Sequence, residues 1–298
     1  MEYHNPVLLK ETVDGLNIKA AGVYVDVTFG GGGHSKEILS RLGENGKLYA
    51  FDQDQDALKN AIDDPRFTLI SQNFRHLKKF LRFYGVKKVD GILGDFGVSS
   101  HQFDVAERGF SLRFEADLDM RMDQDSEISA YHIVNEYSEN ELRSILSVYG
   151  EVRNAKAIAA QIVEARTETP IKTTEELRIV LKRFLPNYKE HKILAQIYQA
   201  IRIEVNQEIE VLKEFLLQTQ EMLDEGGRVS LISYHSLEDR LVKRFIRSGL
   251  FEGEPEKDFY GRIEVPFKKV GKLIIPSKEE IKINNRARSA KLRIAERL

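Results

Sequence analysis

The sequence predicts an α/β protein in which helices cover both faces of a mostly parallel β-sheet and a helical domain is inserted into the chain. Three features indicate this class. Short apolar runs alternate with amphipathic stretches, the runs are apolar on successive residues, and one interval between runs is much longer than a crossover needs. With 298 residues, 42% hydrophobic and 31% charged, the chain has room for one large domain with an insertion or for two domains.

Four apolar runs in the first hundred residues predict the first four strands, at 23–29, 47–52, 66–70 and 89–95. The stretches between them, HSKEILSRL and ALKNAI among others, have the periodicity of amphipathic helices. Strands joined through helices pair in parallel with right-handed crossovers. Ligands of such sheets bind beyond the C-terminal ends of the strands, so we expect the functional residues there.

A helical insertion separates the fourth predicted strand from the fifth, which covers 228–234. A crossover unit needs only about 30 residues, and the surplus carries the capping boxes SENE and TTEE, which predict helix starts. We therefore expect 1–104 and 206–298 to form one domain and 105–205 to form a helical insertion domain. The helix that returns to the sheet is predicted to end at Gly226.

The C-terminal segment SAKLRIAERL alternates apolar with basic residues, which is typical of a strand with one solvated face. We expect this strand at the edge of the sheet, where its basic side chains would prevent pairing with another chain. Residues 282–298 carry six basic side chains against one acid. A cationic surface is therefore predicted at this end of the chain.

A run of four glycines follows the first predicted strand in DVTFGGGGH, residues 26–34. A phosphate-binding P-loop requires Lys and then Ser or Thr after its last glycine, but His34, Ser35 and Lys36 follow here. A dinucleotide site requires a third glycine where Ser35 stands. Both phosphate-binding interpretations therefore fail on spacing.

S-adenosylmethionine is the remaining common ligand of such a turn, because it has no phosphate and needs close backbone approach and an acid for its ribose hydroxyls. Asp52 ends the second predicted strand, 20 residues after Gly32. This is the spacing expected of a ribose-binding carboxylate. A tight turn beside a surface acid, without a ligand, remains the alternative.

Two further strand ends supply candidate site residues. Asp95, at the end of the fourth strand, is the best candidate for an acid inside the site, unless it is the N-cap of the next helix. His235 and Ser236 follow the fifth strand and fall on the same rim of the sheet. Ser236 is equally well explained as an N-cap with Asp239 at the N3 position.

The composition excludes several chemistries. Without cysteine, the chain has no disulfides, thiolate metal ligands or thiolate nucleophile. The histidines are isolated in sequence and no G-x-S-x-G elbow occurs, so we predict neither a metal site nor a serine hydrolase. His34, His101 and His235 fall on the predicted rim, where we expect hydrogen bonding. No signal-like or membrane-spanning run is present, which favours a cytoplasmic protein without membrane contact.

A series of motifs follows in order along almost the whole chain. They are HNPVLLKE, DVTFGGGGHS, DGILGDFGVSSHQFD, ERGFS, LDMRMD, QAIRI, GGRVSLISYHSLEDRLVKRF and NRARSAKLRIAER. Together they resemble the MraW (RsmH) family of bacterial 16S ribosomal RNA cytosine-N4 methyltransferases. The resemblance implies a class I, Rossmann-like methyltransferase fold with an inserted helical domain and S-adenosylmethionine as cofactor. The implied partner is 16S ribosomal RNA in the small ribosomal subunit, with a cytosine near the decoding centre as the target.

The resemblance also implies individual site residues. The cofactor contacts would be Gly32, Gly33, His34, Asp52, Phe74, Asp95 and Gln102. In this set, Asp52 would hold the ribose and Phe74 would lie near the adenine, while Gly30 and Gly31 would shape the turn. The candidate substrate contacts come instead from their position at the end of the fifth strand and on the helix after it; they are His235, Ser236 and Arg240.

The chain departs from the family pattern in the insertion, where the usual histidine, proline and arginine are replaced by Lys192, Ile193 and Gln196. These departures bear on RNA contact by the inserted domain and not on methyl transfer. The proline residues that many amino-methyltransferases place after the fourth strand are also absent, since Phe96 and Gly97 follow Asp95.

The residues restrict the chemistry of the reaction. Methylation of carbon five of a pyrimidine generally needs a thiolate, so a chain without cysteine is limited to targets that are already nucleophilic, such as nitrogen. We expect Asp95, or a backbone carbonyl beside it, to accept an N–H of the target amine. The target base must be single-stranded or flipped out of a duplex.

Basic residues predict where RNA phosphates bind. The candidates are the basic tail and Arg240, Lys243, Arg244 and Arg247 on the helix after His235. A solvated helix face explains the latter four equally well. A nicotinamide-dependent oxidoreductase and a non-catalytic ribosome-assembly factor remain alternative functions, and a homodimer is left open.

Overall fold

The computed structural model describes residues 6–257, 259–261 and 263–298, without the side chain of Ser100. His4 and Asn5 of the HNPVLLKE motif therefore lie outside the described residues. Contacts between residues divide the chain into two compact units. The sheet unit consists of the described residues up to Gly97 together with Ile209–Leu298, and the insertion unit is Val98–Glu208.

The sheet unit is built on a seven-stranded sheet of the described chain. Its strands are β1 Val23–Asp26, β2 Lys47–Phe51, β3 Phe67–Ile70, β4 Val89–Asp95, β5 Leu223–Ser233, β6 Phe267–Ile274 and β7 Lys291–Arg297. They lie in the order β3-β2-β1-β4-β5-β7-β6. The first five strands pair in parallel, and β7 runs antiparallel to both of its neighbours. The predicted mostly parallel α/β fold is confirmed.

The prediction that the last strand lies at the edge of the sheet is wrong. β7 lies between β5 and β6, and β6 is the edge strand. Asp239 makes this position possible for a basic strand, because its carboxylate accepts hydrogen bonds from Arg293 Nε at 2.7 Å and from Lys291 Nζ at 3.1 Å. The edge is protected instead by exposed lysines on β6.

Helices connect the strands and fill the insertion. The α-helices of the described chain are α1 Leu9–Gly15, α2 Gly33–Arg41, α3 Leu77–Phe83, α4 Ser100–Asp104, α5 Ala130–Glu136, α6 Glu139–Val148, α7 Ala155–Glu168, α8 Thr174–Val180, α9 Glu190–Asn206, α10 Glu208–Met222, α11 Ser236–Ser248 and α12 Lys278–Ile283. Short 3-10 helices occur at Gln55–Asn60, Phe74–His76, Ala106–Arg108, Lys182–Phe184 and Asn285–Ser289. None of these helices combines the length and the apolar composition that crossing a bilayer requires.

Two helix predictions for the sheet unit are corrected. Ala57–Asn60 of the stretch ALKNAI belong to the 3-10 helix Gln55–Asn60, which is capped by Asp54, and Ala61 and Ile62 follow it, so the predicted α-helix is wrong. The returning helix α10 ends at Met222 and not at Gly226, because β5 already begins at Leu223. Gly226 has φ 76° next to the irregularity in the pairing of β4 with β5, so it serves a bulge in the strand and not a helix cap.

The insertion unit is helical, as predicted, and has a hydrophobic core of its own. Complete capping boxes join Ser138 to Glu141 at α6 and Thr173 to Glu176 at α8, which confirms both predicted helix starts. Side chains from α5 to α9 form the core. Its fully buried members include Ile133, Ile158, Ile162, Leu177 and Ile197. The insertion therefore buries its own apolar surface as a domain does.

We expect Asp239→Asn to destabilise the protein. Burial alone would raise the pKa of Asp239, but the hydrogen bonds from Arg293 and Lys291 outweigh it and lower the pKa overall. A lowered pKa means that the carboxylate stabilises the fold above its unfolded-state pKa and loses this contribution as the pH falls. The variant should lose about 2 kcal/mol of unfolding free energy at pH 7 and less near pH 4.

Urea denaturation at the two pH values measures this difference. Glu44→Gln is the matched control, because Glu44 is exposed in a loop of the same unit. Equal stability of Asp239→Asn and the wild type at pH 7 would contradict the assigned role.

Candidate active site

Three carboxylates lie at the C-terminal ends of three neighbouring parallel strands. Asp26 is the last residue of β1 and Asp95 the last residue of β4, while Asp52 directly follows β2. Because β2, β1 and β4 are adjacent in the sheet, their ends meet at one edge. The structure thus brings Asp52 and Asp95 to the same rim, together with Asp26, which the sequence analysis did not single out.

Asp52 is tied to the glycine turn. Its Oδ2 accepts the backbone N–H of Gly30 at 2.8 Å, and its Oδ1 accepts that of Asp54 at 2.9 Å. Burial raises the pKa of Asp52 to about 6; the two backbone hydrogen bonds oppose this rise, and the charges of Asp54 and Asp26 add to it. An ionised carboxylate has about four acceptor positions, so it can also accept ribose hydroxyls.

The glycine turn has left-handed backbone at Gly30 and Gly32, with φ of 51° and 74°. A Cβ on Gly32 would lie 2.9 Å from the ring of Phe29, whereas one on Gly30 would meet nothing within 4 Å. A Cβ on Gly33 would lie 2.1 Å from Cγ of Pro6. Packing inside the protein therefore requires glycine at 32 and 33, and Gly30 borders open space.

His34 has a buried ring whose two nitrogens both face the protein. Nε2 lies 3.2 Å from the carbonyl oxygen of Val7 and donates to it, since a carbonyl only accepts. Nδ1 lies 3.9 Å from Oδ2 of Asp95. The ring thus links the segment before α1 to Asp95. The backbone N–H groups of the first turn of α2, which have no partner within the helix, are suited to hold a carboxylate.

Asp95 is partly exposed, with 22% of its side chain accessible. Its Oδ1 accepts a hydrogen bond from the Tyr234 hydroxyl at 2.8 Å. Burial raises the pKa of Asp95 to about 6; His34 and the Tyr234 hydrogen bond oppose the rise, and Asp26 and Glu238 add to it. The N-cap alternative for Asp95 is wrong, because α4 begins only at Ser100.

Phe74 begins the 3-10 helix after β3. Its ring centre lies 5.3 Å from that of Phe215 and 5.9 Å from that of Phe96. Phe215 is fully buried and Phe74 is only partly buried. The remaining surface of Phe74 is an apolar face near the end of β3, as a contact with adenine requires.

Gln102 belongs to the insertion unit and not to the sheet unit that holds the other predicted cofactor contacts. Its side-chain oxygen accepts the backbone N–H of Ser99 at 3.0 Å, which completes the capping box of α4. His101 lies on the same short helix. The structure therefore shows a helix-capping role for Gln102.

The residues after β5 form a cap one position earlier than expected. His235 is the N-cap of α11 and Glu238 occupies N3, so the Ser236 and Asp239 cap is wrong. Glu238 also accepts the backbone N–H of Tyr234 at 2.9 Å. The sequence analysis quoted Tyr234 within a motif but did not assign it to the site. The sequence did contain a signal for assigning it to the site. The tyrosine directly follows one strand, and the neighbouring strand ends in an acidic residue.

Only some of the cations that were predicted to bind RNA phosphates are exposed. Arg240, Lys243 and Arg247 are exposed along α11. In the basic tail, Lys291 and Arg293 are held by Asp239, as described above. The tail is therefore in part an internal element of the sheet.

The whole chain matches one protein family. A family model described as the MraW methylase family covers residues 1–298. The chain belongs to the MraW methylase family. Its mostly parallel sheet is accordingly that of a class I methyltransferase, and its cofactor is S-adenosylmethionine.

Members of the family from several bacteria are similar over their full length. A protein of Christiangramia forsetii is 72% identical over 100% of this chain and 99% of its own. One of Flavobacterium johnsoniae is 70% identical over 100% and 99%, and one of Bacteroides thetaiotaomicron is 53% identical over 100% and 98%. All three carry the name ribosomal RNA small subunit methyltransferase H.

The charges of this MraW methylase suit its cofactor. The charge of Asp26 adds to the rise in the pKa of both Asp52 and Asp95, so the strand ends form a site of negative potential. A sulfonium and an ammonium group relieve this repulsion, whereas the pyrophosphate of a dinucleotide would increase it. The nicotinamide alternative is therefore disfavoured by electrostatics as well as by spacing.

We expect Asp52→Ala to weaken binding of S-adenosylmethionine about 10- to 100-fold, because hydrogen bonds to a charged group are worth about 1.5–3 kcal/mol. Isothermal titration calorimetry measures the Kd directly. Asp63→Ala is the control, since Asp63 is an exposed acid between β2 and β3. Unchanged affinity of Asp52→Ala would remove Asp52 from the cofactor site.

Proposed function

We propose that this protein transfers the methyl group of S-adenosylmethionine to the exocyclic N4 amine of a cytosine in 16S ribosomal RNA, near the decoding centre of the small subunit. The names of the full-length relatives support small-subunit ribosomal RNA as the substrate. The observation that carries the amino target is Asp95, a partly exposed carboxylate at the end of β4 with a pKa of about 6. At neutral pH such a group is mostly ionised and accepts an N–H.

Methylation of an amino group needs a hydrogen-bond acceptor beside that group. The lone pair of the cytosine amine is delocalised into the ring, so the nitrogen becomes nucleophilic only when the N–H bonds are turned and held. The Asp95 carboxylate would accept one N–H and take up that proton as the new N–C bond forms and the methyl–sulfur bond breaks, with the sulfur leaving as a neutral thioether. Bound at the strand ends, S-adenosylmethionine supplies the electrophilic methyl group. In-line positioning can contribute about 7–11 kcal/mol to such a transfer.

The absence of cysteine supports nitrogen over carbon as the target. Carbon five of a pyrimidine becomes nucleophilic after a thiolate adds to the ring, and this chain has no thiol. A carboxylate at the strand end can accept an N–H of an amine without any covalent addition to the ring. The two features favour N4 of cytosine over its C5.

The substrate contacts proposed for the sheet unit lie on α11. Arg240, Lys243 and Arg247 are spaced so that they share one exposed face of the helix, where they can contact phosphates. His235 and Ser236 begin the same helix at the end of β5. The base itself must be unpaired or flipped, which costs a few kcal/mol.

The test is methylation of small ribosomal subunits from a bacterial strain that lacks this activity. Labelled S-adenosylmethionine should transfer its methyl group to one cytosine, and nucleoside mass spectrometry should identify N4-methylcytidine. A 5-methylcytidine product would overturn the amino target. The absence of any transfer, with the cofactor bound, would favour the non-catalytic assembly factor.

We expect the rate of methyl transfer to rise with pH through about 6, because the reaction needs the ionised form of Asp95. Tyr234→Phe removes a hydrogen bond that lowers the pKa of Asp95, so the rise should move to higher pH. The other groups that face Asp95 are His34, Asp26 and Glu238, and this variant leaves them in place. Single-turnover rates between pH 5 and 9, at saturating cofactor, measure the profile.

Asp95→Asn separates chemistry from binding. It should retain cofactor binding and lower kcat at least about 100-fold with no rise near pH 6, because an amide keeps the shape of the side chain but cannot take up the proton of the target amine. Ser111→Ala, in the insertion unit, is a control that should keep the wild-type profile. Full activity of Asp95→Asn with cofactor bound would exclude Asp95 as the acceptor.

A further inference from the structure

The insertion unit is acidic overall, which is unexpected for a domain that meets RNA. Residues 98–208 hold 19 Asp and Glu against 14 Lys and Arg. The net negative charge of this unit therefore repels the phosphates of RNA, and RNA can approach only where cations are concentrated. One segment has this property. Residues 182–192, KRFLPNYKEHK, hold four Lys and Arg against one Glu.

The four cations of the 182–192 segment are exposed. They are Lys182, Arg183, Lys189 and Lys192. The acid of the segment, Glu190, is occupied elsewhere, because its Oε1 lies 3.0 Å from the guanidinium of Arg178, which also holds Glu175. Among the described residues, no carboxylate lies within ion-pair distance of the four cations. Their charge is thus available to a ligand.

An aromatic ring stands among these cations. Tyr188 is 81% exposed, although most tyrosines bury their ring at least in part. Nζ of Lys189 lies 5.0 Å from the centre of the Tyr188 ring. A single exposed aromatic residue is ordinary on a protein surface. An exposed ring beside several unpaired cations is the combination that binds single-stranded nucleic acid, because a base stacks on the ring while phosphates meet the charges.

Buried leucines within and beside the 182–192 segment anchor it to the core of the insertion unit. Leu181, Leu185 and Leu194 are buried in the core of the insertion unit, and Phe184 packs partly against it. Between them, the backbone N–H of Lys189 donates to the carbonyl of Pro186 at 2.8 Å and closes a turn. The ring of Tyr188 is therefore presented from an anchored backbone, so that stacking requires little additional ordering.

We infer that the 182–192 segment binds a single-stranded stretch of ribosomal RNA, with a base stacked on Tyr188 and phosphates held by Lys182, Arg183 and Lys189. This inference rests on the proposed function, because it names the substrate contact of the insertion unit. Paired RNA fits less well, since its bases are stacked on one another and not available to a side chain. The sequence analysis noted Lys192 only as a departure from the family pattern.

Binding of a fluorescein-labelled, unpaired 12-nucleotide RNA to the full-length protein tests the inference. Tyr188→Ala should weaken binding about 10-fold, within the range for loss of one stacked base, and Tyr188→Phe should stay within about 2-fold of the wild type. Replacing Lys182 and Lys189 together by Ala should reduce the slope of log K against log salt by about 1.4. The same RNA annealed to its complement should bind more weakly than the single strand.

Matched controls use exposed lysines of the same unit outside the segment. Replacing Lys156 and Lys172 together by Ala removes the same charge and should leave the affinity within about 2-fold of the wild type. The inference is overturned if Tyr188→Ala binds as tightly as the wild type, or if the control pair weakens binding as much as the Lys182 and Lys189 pair.

The two proposals fail in distinguishable ways. If wild-type protein methylates small subunits but the segment variants bind and methylate normally, the segment is excluded while the proposed function stands. If wild-type protein transfers no methyl group to subunits, the proposed function fails whatever the oligonucleotide shows. Tyr188→Ala that raises KM for small subunits with kcat and cofactor affinity unchanged supports the segment as a substrate contact.

Discussion

The site depends on one costly arrangement, the convergence of one buried and two partly buried carboxylates at the ends of three adjacent parallel strands. Parallel pairing forces the ends of β2, β1 and β4 to one edge, so Asp52, Asp26 and Asp95 cannot separate without breaking the sheet. Desolvation, with a smaller contribution from the charge of Asp26, raises the pKa values of Asp52 and Asp95 to about 6. A cationic ligand relieves this repulsion, and S-adenosylmethionine, the cofactor of this protein, carries a sulfonium.

Hydrogen bonds from neighbouring residues compensate part of the cost of placing these carboxylates together. Asp26 accepts from the Ser35 hydroxyl at 2.7 Å and from the backbone N–H of Thr28 at 3.1 Å. The Thr28 hydroxyl in turn accepts the backbone N–H of Asp95 at 2.7 Å. The loop after β1 is therefore fastened to the end of β4. This cross-connection preorganises the acids before any ligand arrives, which lowers the ordering cost of binding.

The two units divide the physical requirements of the proposed reaction. The sheet unit concentrates negative charge at its strand ends and carries its exposed cations on α11. The insertion unit has a self-contained core, and its anchored 182–192 segment combines exposed cations with the ring of Tyr188. A separate core lets the surface of the insertion vary without disturbing the strand ends of the sheet unit. The departures at Lys192 and its neighbours fall on the insertion.

Local signals in the sequence determined most of the elements, the presence of the insertion and the choice of cofactor class. Apolar runs predicted the strands, capping boxes predicted helix starts, and glycine spacing excluded phosphate-binding loops. Pairing between distant segments was decided only by the tertiary structure, because periodicity carries no information about neighbours in a sheet. β7 therefore lies inside the sheet, Gly33 accommodates Pro6, the His34 ring reaches Val7, and Tyr234 holds Asp95. Each of these contacts joins residues remote in sequence, which local patterns cannot specify.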